Sequence, residues 1–154
     1  AERGVSLALS EDSALPDRLV DPGGLVTIVG NLVDNALDAA ATLRPGTAGI
    51  GHARVEVALR TEGPEGRTVV LRVRDSGPGV PAEQRESVFT EGWSTKEPPA
   101  HGKRGIGLPL VRRLAERQGG SVAVGAAPGG GAEFTVVLPE GLAELRPVAT
   151  EEAR

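Results

Sequence analysis

The sequence predicts a single α/β (α+β) domain of several short strands and about three helices, and three observations carry that prediction. Apolar residues alternate over residues 4–10, 54–60 and 68–74 and again in a final hairpin; two longer segments repeat them at helical spacing; Gly- and Pro-rich turns separate the segments. At 154 residues, 39% hydrophobic and 25% charged, the chain is long enough to bury one core without disulfides or a structural metal. Phe89, Trp93 and Phe134 are the only aromatic residues, so that core must be mostly Val, Leu and Ala. Residues 1–140 are expected to form the domain and residues 141–154 a charged C-terminal tail with little apolar content.

Taken in order, the first strand is expected near the start, with Val5, Leu7 and Leu9 on one face. Asp21 followed by Pro22 is a strong helix start, an N-cap with Pro at the first helical position. Leu25, Ile28, Val29, Leu32, Val33, Ala36 and Ala40 continue it, and Pro45 and Gly46 close it. Residues 54–60 and 68–74 read as an antiparallel pair across a turn-rich 62–66, and the second strand runs straight into Asp75. Residues 81–89 read as a short helix, and residues 90–104, broken by Pro98 and Pro99, as a polar loop suited to a lid. Residues 107–118 form an amphipathic helix with Leu110, Val111, Leu114 and Ala115 on one face, ended by Gly119 and Gly120. A hairpin of residues 121–125 and 133–138 around a Gly-rich turn completes the domain.

Composition excludes several functions. A net charge of -4 gives no electrostatic pull towards a phosphodiester backbone, and three aromatics offer few stacking platforms, so nucleic acid is not an expected partner. Without Cys there is no thiolate nucleophile or zinc-cysteine site, and His52 and His101 alone cannot build a typical histidine metal site. No apolar run approaches the roughly 20 residues that span a bilayer, so the piece itself is not expected to be membrane-inserted, and a reducing cytoplasm is compatible with the lack of Cys. Met is absent even at position 1, which suggests a stretch cut from a longer chain.

Four blocks carry the chemistry and together look like a nucleotide pocket. On the long helix, Asn31, Asn35 and Asp38 recur at i, i+4 and i+7, within about 60° of one another, beside the apolar stripe. An Asn side-chain oxygen is a hard neutral ligand suited to Mg²⁺, which binds substrate phosphates while using only one or two protein groups. Asp75 ends an apolar strand, and Gly77 and Gly79 after it allow a sharp turn and close approach to a ligand. A carboxylate there can accept from an exocyclic amine, which adenine presents and the matching edge of guanine does not. Gly102, Gly105 and Gly107 precede a helix N-terminus, a cradle for anionic oxygens, and match neither the Walker loop nor the dinucleotide fingerprint. In the lid, Ser94, Thr95, Lys96, Lys103 and Arg104 offer hydroxyls and cations to phosphates, and His101 is a lid residue near the nucleotide rather than a base. The fourth block, Gly129 to Gly131 followed by Phe134, lies in the hairpin.

In order, these blocks resemble the N, G1, F, G2 and G3 boxes of the ATP-binding catalytic domain of sensor histidine kinases, over about residues 4–139, with Val88 and Phe89 standing at the F box. The run from Gly92 to Lys96 and that from Arg104 to Leu108 look most like the citrate and C4-dicarboxylate sensors. The resemblance implies a Bergerat-type two-layer sandwich, a mixed and mainly antiparallel sheet backing the helices, with ATP between helices and lid. It further implies that Asn35 holds Mg²⁺, that Asp75 binds the adenine amino group with Gly77 and Gly79 shaping the base pocket, and that Thr135 lies near the adenine. Gly105, Gly107 and Leu108 would contact phosphates, with Asp38, Val80, Thr95, Lys96, His101, Gly102, Arg104 and Ile106 completing the nucleotide site.

Asn31 and Lys96 are the expected catalytic residues. Gyrase-like relatives carry Glu at the position of Asn31, a general base for water, whereas an amide cannot take a proton; hydrolysis should be poor and transfer to a histidine, already a nucleophile, favoured. Neither His52 nor His101 lies in a helical hairpin of the kind that carries the phosphoacceptor. The resemblance therefore implies a parent chain with its own dimerisation and phosphotransfer hairpin, a membrane anchor and a response regulator as partner. An ATPase or an anti-sigma serine kinase of the same superfamily is the alternative within enzymes, and a non-catalytic nucleotide-gated module the alternative outside them.

Overall fold

The computed structural model describes residues 6–9, 19–41, 53–63, 66–90 and 107–141. Five strands, β1 (Ser6–Leu9), β2 (Arg54–Glu62), β3 (Thr68–Asp75), β4 (Ser121–Ala126) and β5 (Ala132–Leu138), form one sheet in the order β1-β2-β3-β5-β4. β1 runs parallel to β2 and every other pairing is antiparallel, so the sheet is mixed and mainly antiparallel. Two α-helices, α1 (Pro22–Ala41) and α2 (Gly107–Arg117), cover one face.

α1 begins where the cap residue dictates. The Asp21 Oδ1 accepts from the Gly24 N–H at 3.0 Å, satisfying one of the first-turn donors that lack an intrahelical partner. Leu25, Ile28, Leu32, Ala36 and Ala40 recur at three- and four-residue steps and are buried against the sheet, while Val26 on the opposite side is 71% exposed. α2 ends in a Schellman arrangement: the Gly120 N–H donates to the Ala115 carbonyl and the Gly119 N–H to that of Glu116, both at 2.9 Å.

The segment read as a short helix over residues 81–89 is instead two 3₁₀ turns, Ala82–Gln84 and Ser87–Phe89. Its bonds run i to i+3, from Gln84 N–H to Pro81 O at 2.8 Å and from Thr90 N–H to Ser87 O at 2.9 Å. Nine residues are too few to sustain an α-helix on propensity alone, and burying Val88 and Phe89 fixes the tighter winding. Phe89 meets Phe134 edge to face, with ring centroids 6.2 Å apart, and Arg112 of α2 lies over the Phe89 ring at 5.8 Å.

Strand alternation sorts the sheet into two faces. Val69, Leu71, Val73 and Asp75 of β3 and Ala132, Phe134, Val136 and Leu138 of β5 point to the helices and are buried. On the other face, Glu133 pairs with Arg74 at 2.5 Å and Arg72 at 3.6 Å, and Arg74 also reaches Glu56 of β2 at 3.6 Å. That charged surface, with Val70 as its one buried apolar residue on β3, leaves the main core, and the site below, on the helical side.

Candidate nucleotide site

Between α1, the end of β3, the 3₁₀ turns, α2 and the β4–β5 hairpin lies a cavity of about 920 Å³. Its size falls within the range typical of small-molecule sites. α1 contributes Asn35 and Ala39, the turn after β3 contributes Asp75, Pro78, Gly79 and Val80, and α2 contributes Leu108. Gln84, Arg85 and Val88 come from the 3₁₀ turns, and Gly130, Gly131, Ala132 and Phe134 from the hairpin.

Asp75 is the fixed point of this wall. It occupies the last inward-facing position of β3 and, at 4% exposure, is the one buried polar or charged residue among those described. Its Oδ1 accepts from the Gly77 N–H at 2.8 Å and the Ala132 N–H at 3.3 Å, so backbone on two separate segments orients the carboxylate. Such bonds from backbone donors offset part of the cost of burying a carboxyl group. The strand end is held in turn by Ser76, whose N–H donates to the Arg54 carbonyl at 3.0 Å and whose Oγ accepts from the Arg54 N–H at 2.7 Å.

The glycines let the backbones touch. A Cβ on Gly77 would lie 2.6 Å from the carbonyl oxygen of Ala39, so the turn after Asp75 packs directly on α1. Gly131, at φ +95°, lies on the Asp75 backbone, where a Cβ would overlap the Asp75 carbonyl oxygen. Sequence reasoning noticed the Gly-rich turn but gave Gly131 no role; its value comes from a contact with a distant segment that no local pattern reveals.

Of the other residues expected at the site, Asn35, Gly79, Val80 and Leu108 do line the cavity, and Gly77 supports it from behind. Asn31 does not line it. Its Nδ2 donates to the Thr27 carbonyl at 2.9 Å, and its Oδ1 lies where a Cβ on Gly107 would come within 2.8 Å, so the side chain wedges against the first residue of α2. Asp38 is half-buried on α1, outside the wall. Thr135 requires a correction: it pairs with Arg72 and Ala123 on the outer face of the sheet, while its neighbour Phe134 faces the cavity. Thr95, Lys96, His101, Gly102, Arg104, Gly105 and Ile106 lie outside the described residues, as do Trp93, His52 and the tail from residue 142. Gln84 and Arg85 are lining residues that sequence reasoning missed. A polar pair between Pro81 and the buried Val88 was the available signal.

Comparison with known proteins agrees with this arrangement. The sensor protein CitS of Bacillus subtilis (strain 168) is 35% identical over 142 residues, covering 91% of this chain and 24% of that protein. The sensor histidine kinase DcuS of Escherichia coli (strain K12) is 35% identical over 138 residues, 88% of this chain and 23% of its own length. The chain thus spans about a quarter of these relatives. Among solved structures, full-length ShkA in complex with AMPPNP superposes with a TM-score of 0.71 at 30% identity, over 94% of this chain and 27% of that one. The mycobacterial sensor histidine kinase MprB gives 0.67 at 26% identity, over 91% and 85%. The family model described as histidine kinase-, DNA gyrase B- and HSP90-like ATPase matches residues 20–142, four-fifths of the chain. The chain belongs to that family.

Proposed function

We propose that this chain binds ATP in the cavity and donates its γ-phosphate to a histidine on a separate helical domain, as the catalytic part of a two-component sensor kinase. The observation that carries the reading is Asp75, a buried carboxylate held by two backbone donors in a largely apolar wall. That is the acceptor an adenine amino group requires, and the carbonyl of guanine would meet it as a repulsive acceptor. The sensor-kinase relatives and the AMPPNP complex of a structural neighbour support the same assignment.

The remaining roles follow from position. Val80, Val88, Leu108 and Phe134 give the base an apolar slot, and Gly79 and Gly131 keep its edges narrow. Asn35, at the α1 wall, would hold Mg²⁺; the fit is that of a single neutral oxygen beside the phosphates, since no cluster of three His, Cys, Asp or Glu residues suits a metal among the described residues. When bound, that ion neutralises phosphate charge. We assign phosphate contacts to Gly102, Arg104, Gly105, Ile106 and Gly107, and charge compensation during transfer to Lys96 with Thr95 and His101. The acceptor imidazole nitrogen attacks the γ-phosphorus, a P–N bond forms, the bond to the bridging oxygen breaks and ADP leaves. No base of this chain is needed for that step, and Asn31, bonded to its own helix, is suited to none. The parent's hairpin and a response regulator are the partners this reading requires.

Calorimetric titration with ATP and then GTP, each with Mg²⁺, tests it. ATP alone should bind, and Asp75→Asn should weaken ATP by at least about tenfold. Transfer of labelled phosphate to the parent's hairpin supplied in trans should follow. A folded wild-type chain that binds neither nucleotide sinks the proposal.

A further inference from the structure

Five arginines among the described residues are half-buried: Arg67, Arg72, Arg74, Arg85 and Arg112. Four of them sit on carboxylates, Arg67 on Glu140, Arg72 and Arg74 on Glu133, and Arg112 on Glu116. Arg85 is the exception, with no carboxylate paired to it among the described residues, and it lines the cavity.

We propose that Arg85 is a further nucleotide-binding residue, a fixed cation in the cavity wall that pairs with a phosphate of the bound nucleotide. The inference rests on the ATP-binding reading above and adds to it a residue outside the four glycine and asparagine blocks. Arg85 is held at both ends. Its backbone N–H donates to the Ala82 carbonyl at 3.3 Å at the close of a 3₁₀ turn, and its Nε donates to the Val80 carbonyl at 3.2 Å. The Nε bond uses one of the five donors of the guanidinium and restrains its plane, leaving the terminal nitrogens to address a ligand.

A partly desolvated cation without a counter-charge is costly, and an anion entering the cavity removes that cost. The same cavity presents the buried carboxylate of Asp75, so its wall carries one anion and one cation. An adenine nucleotide has the complementary polarity: an amino group for the carboxylate, and phosphates that the carboxylate repels and a guanidinium attracts. The neighbouring acids do not compete for the role, because Glu83 and Glu86 are exposed and outside the cavity wall.

The test is titration of the 154-residue chain with adenosine, AMP, ADP and ATP, for wild type, Arg85→Gln and Arg85→Lys, at low and high salt. Arg85→Gln should weaken ADP and ATP about tenfold while adenosine is unchanged. The difference should shrink as salt rises, and Arg85→Lys should recover part of it. Equal weakening of adenosine and ATP would overturn the proposal, because Arg85 would then act only through the Val80 turn; so would ATP affinity unaltered in Arg85→Gln. If the Gln variant does not fold, the Lys variant decides: it should keep the salt dependence of ATP binding and the adenosine affinity of wild type, and loss of either overturns the proposal. Wild-type chain that binds ATP while Arg85→Gln matches it sinks this inference alone. Wild-type chain that binds no adenine compound sinks the ATP reading with it.

Discussion

Gly129 and Gly131 share one turn and nearly one conformation, at φ +82° and +95°, yet their surroundings differ. A Cβ at Gly129 meets nothing within 4 Å, whereas one at Gly131 would overlap the carbonyl oxygen of Asp75. Gly129→Ala should therefore carry only the left-handed backbone cost, about 1 kcal/mol, and leave ATP affinity intact. Gly131→Ala adds a clash with the backbone of Asp75, the carboxylate proposed to accept from the base, and should lose at least about 3 kcal/mol in urea melts together with measurable ATP binding. Equal effects of the two substitutions would show that the hairpin does not position Asp75. The place of Asp75 in the cavity wall was legible in the sequence only through its company: a carboxylate before two glycines is common in plain turns, and the order of the four blocks is what singled it out. Gly131 was not, since its role exists only once β5 lies beside β3.

At the scale of elements, β5 shows what periodicity gives and where it stops. The alternation of residues 133–138 was plain, but the face each residue takes depends on register: Val73 and Val124 flank Phe134, and Arg72 and Ala123 flank Thr135. A shift by one position exchanges the faces, so a sequence cannot say which of two neighbours sees the ligand. Phe134→Ala should accordingly destabilise the fold by about 3–5 kcal/mol and impair ATP binding, while Thr135→Val should leave ATP affinity within twofold of wild type. A large loss in Thr135→Val would restore the residue to the site. The 3₁₀ turns hid Gln84 and Arg85 for a related reason: an α-helical period over residues 81–89 assigns faces that the tighter winding rearranges. α1 and α2 were legible because their caps are local, Asp21 with Pro22 at one start and Gly119 with Gly120 at one end.

Across the whole molecule, the cavity belongs to no single element. Its wall joins α1, the β3 turn, the 3₁₀ turns, α2 and the β4–β5 hairpin, so a ligand that fills it couples segments that unfolding must separate. Binding to the native state alone stabilises by an amount set by concentration over affinity, about 2.7 kcal/mol at one hundred times Kd. For a chain of 154 residues, each kcal/mol moves the melting midpoint by roughly 2–4 °C. Saturating ATP should thus raise the melting midpoint by about 5–11 °C, and GTP at the same concentration should leave it nearly unchanged. Asp75→Asn should fold, because an amide oxygen still accepts from Gly77 and Ala132, but should lose most of the ATP-dependent shift. Thermal scans of both proteins with each nucleotide check all three expectations. A shift that survives in Asp75→Asn would mean that phosphate contacts alone hold the nucleotide and that the buried carboxylate reads nothing.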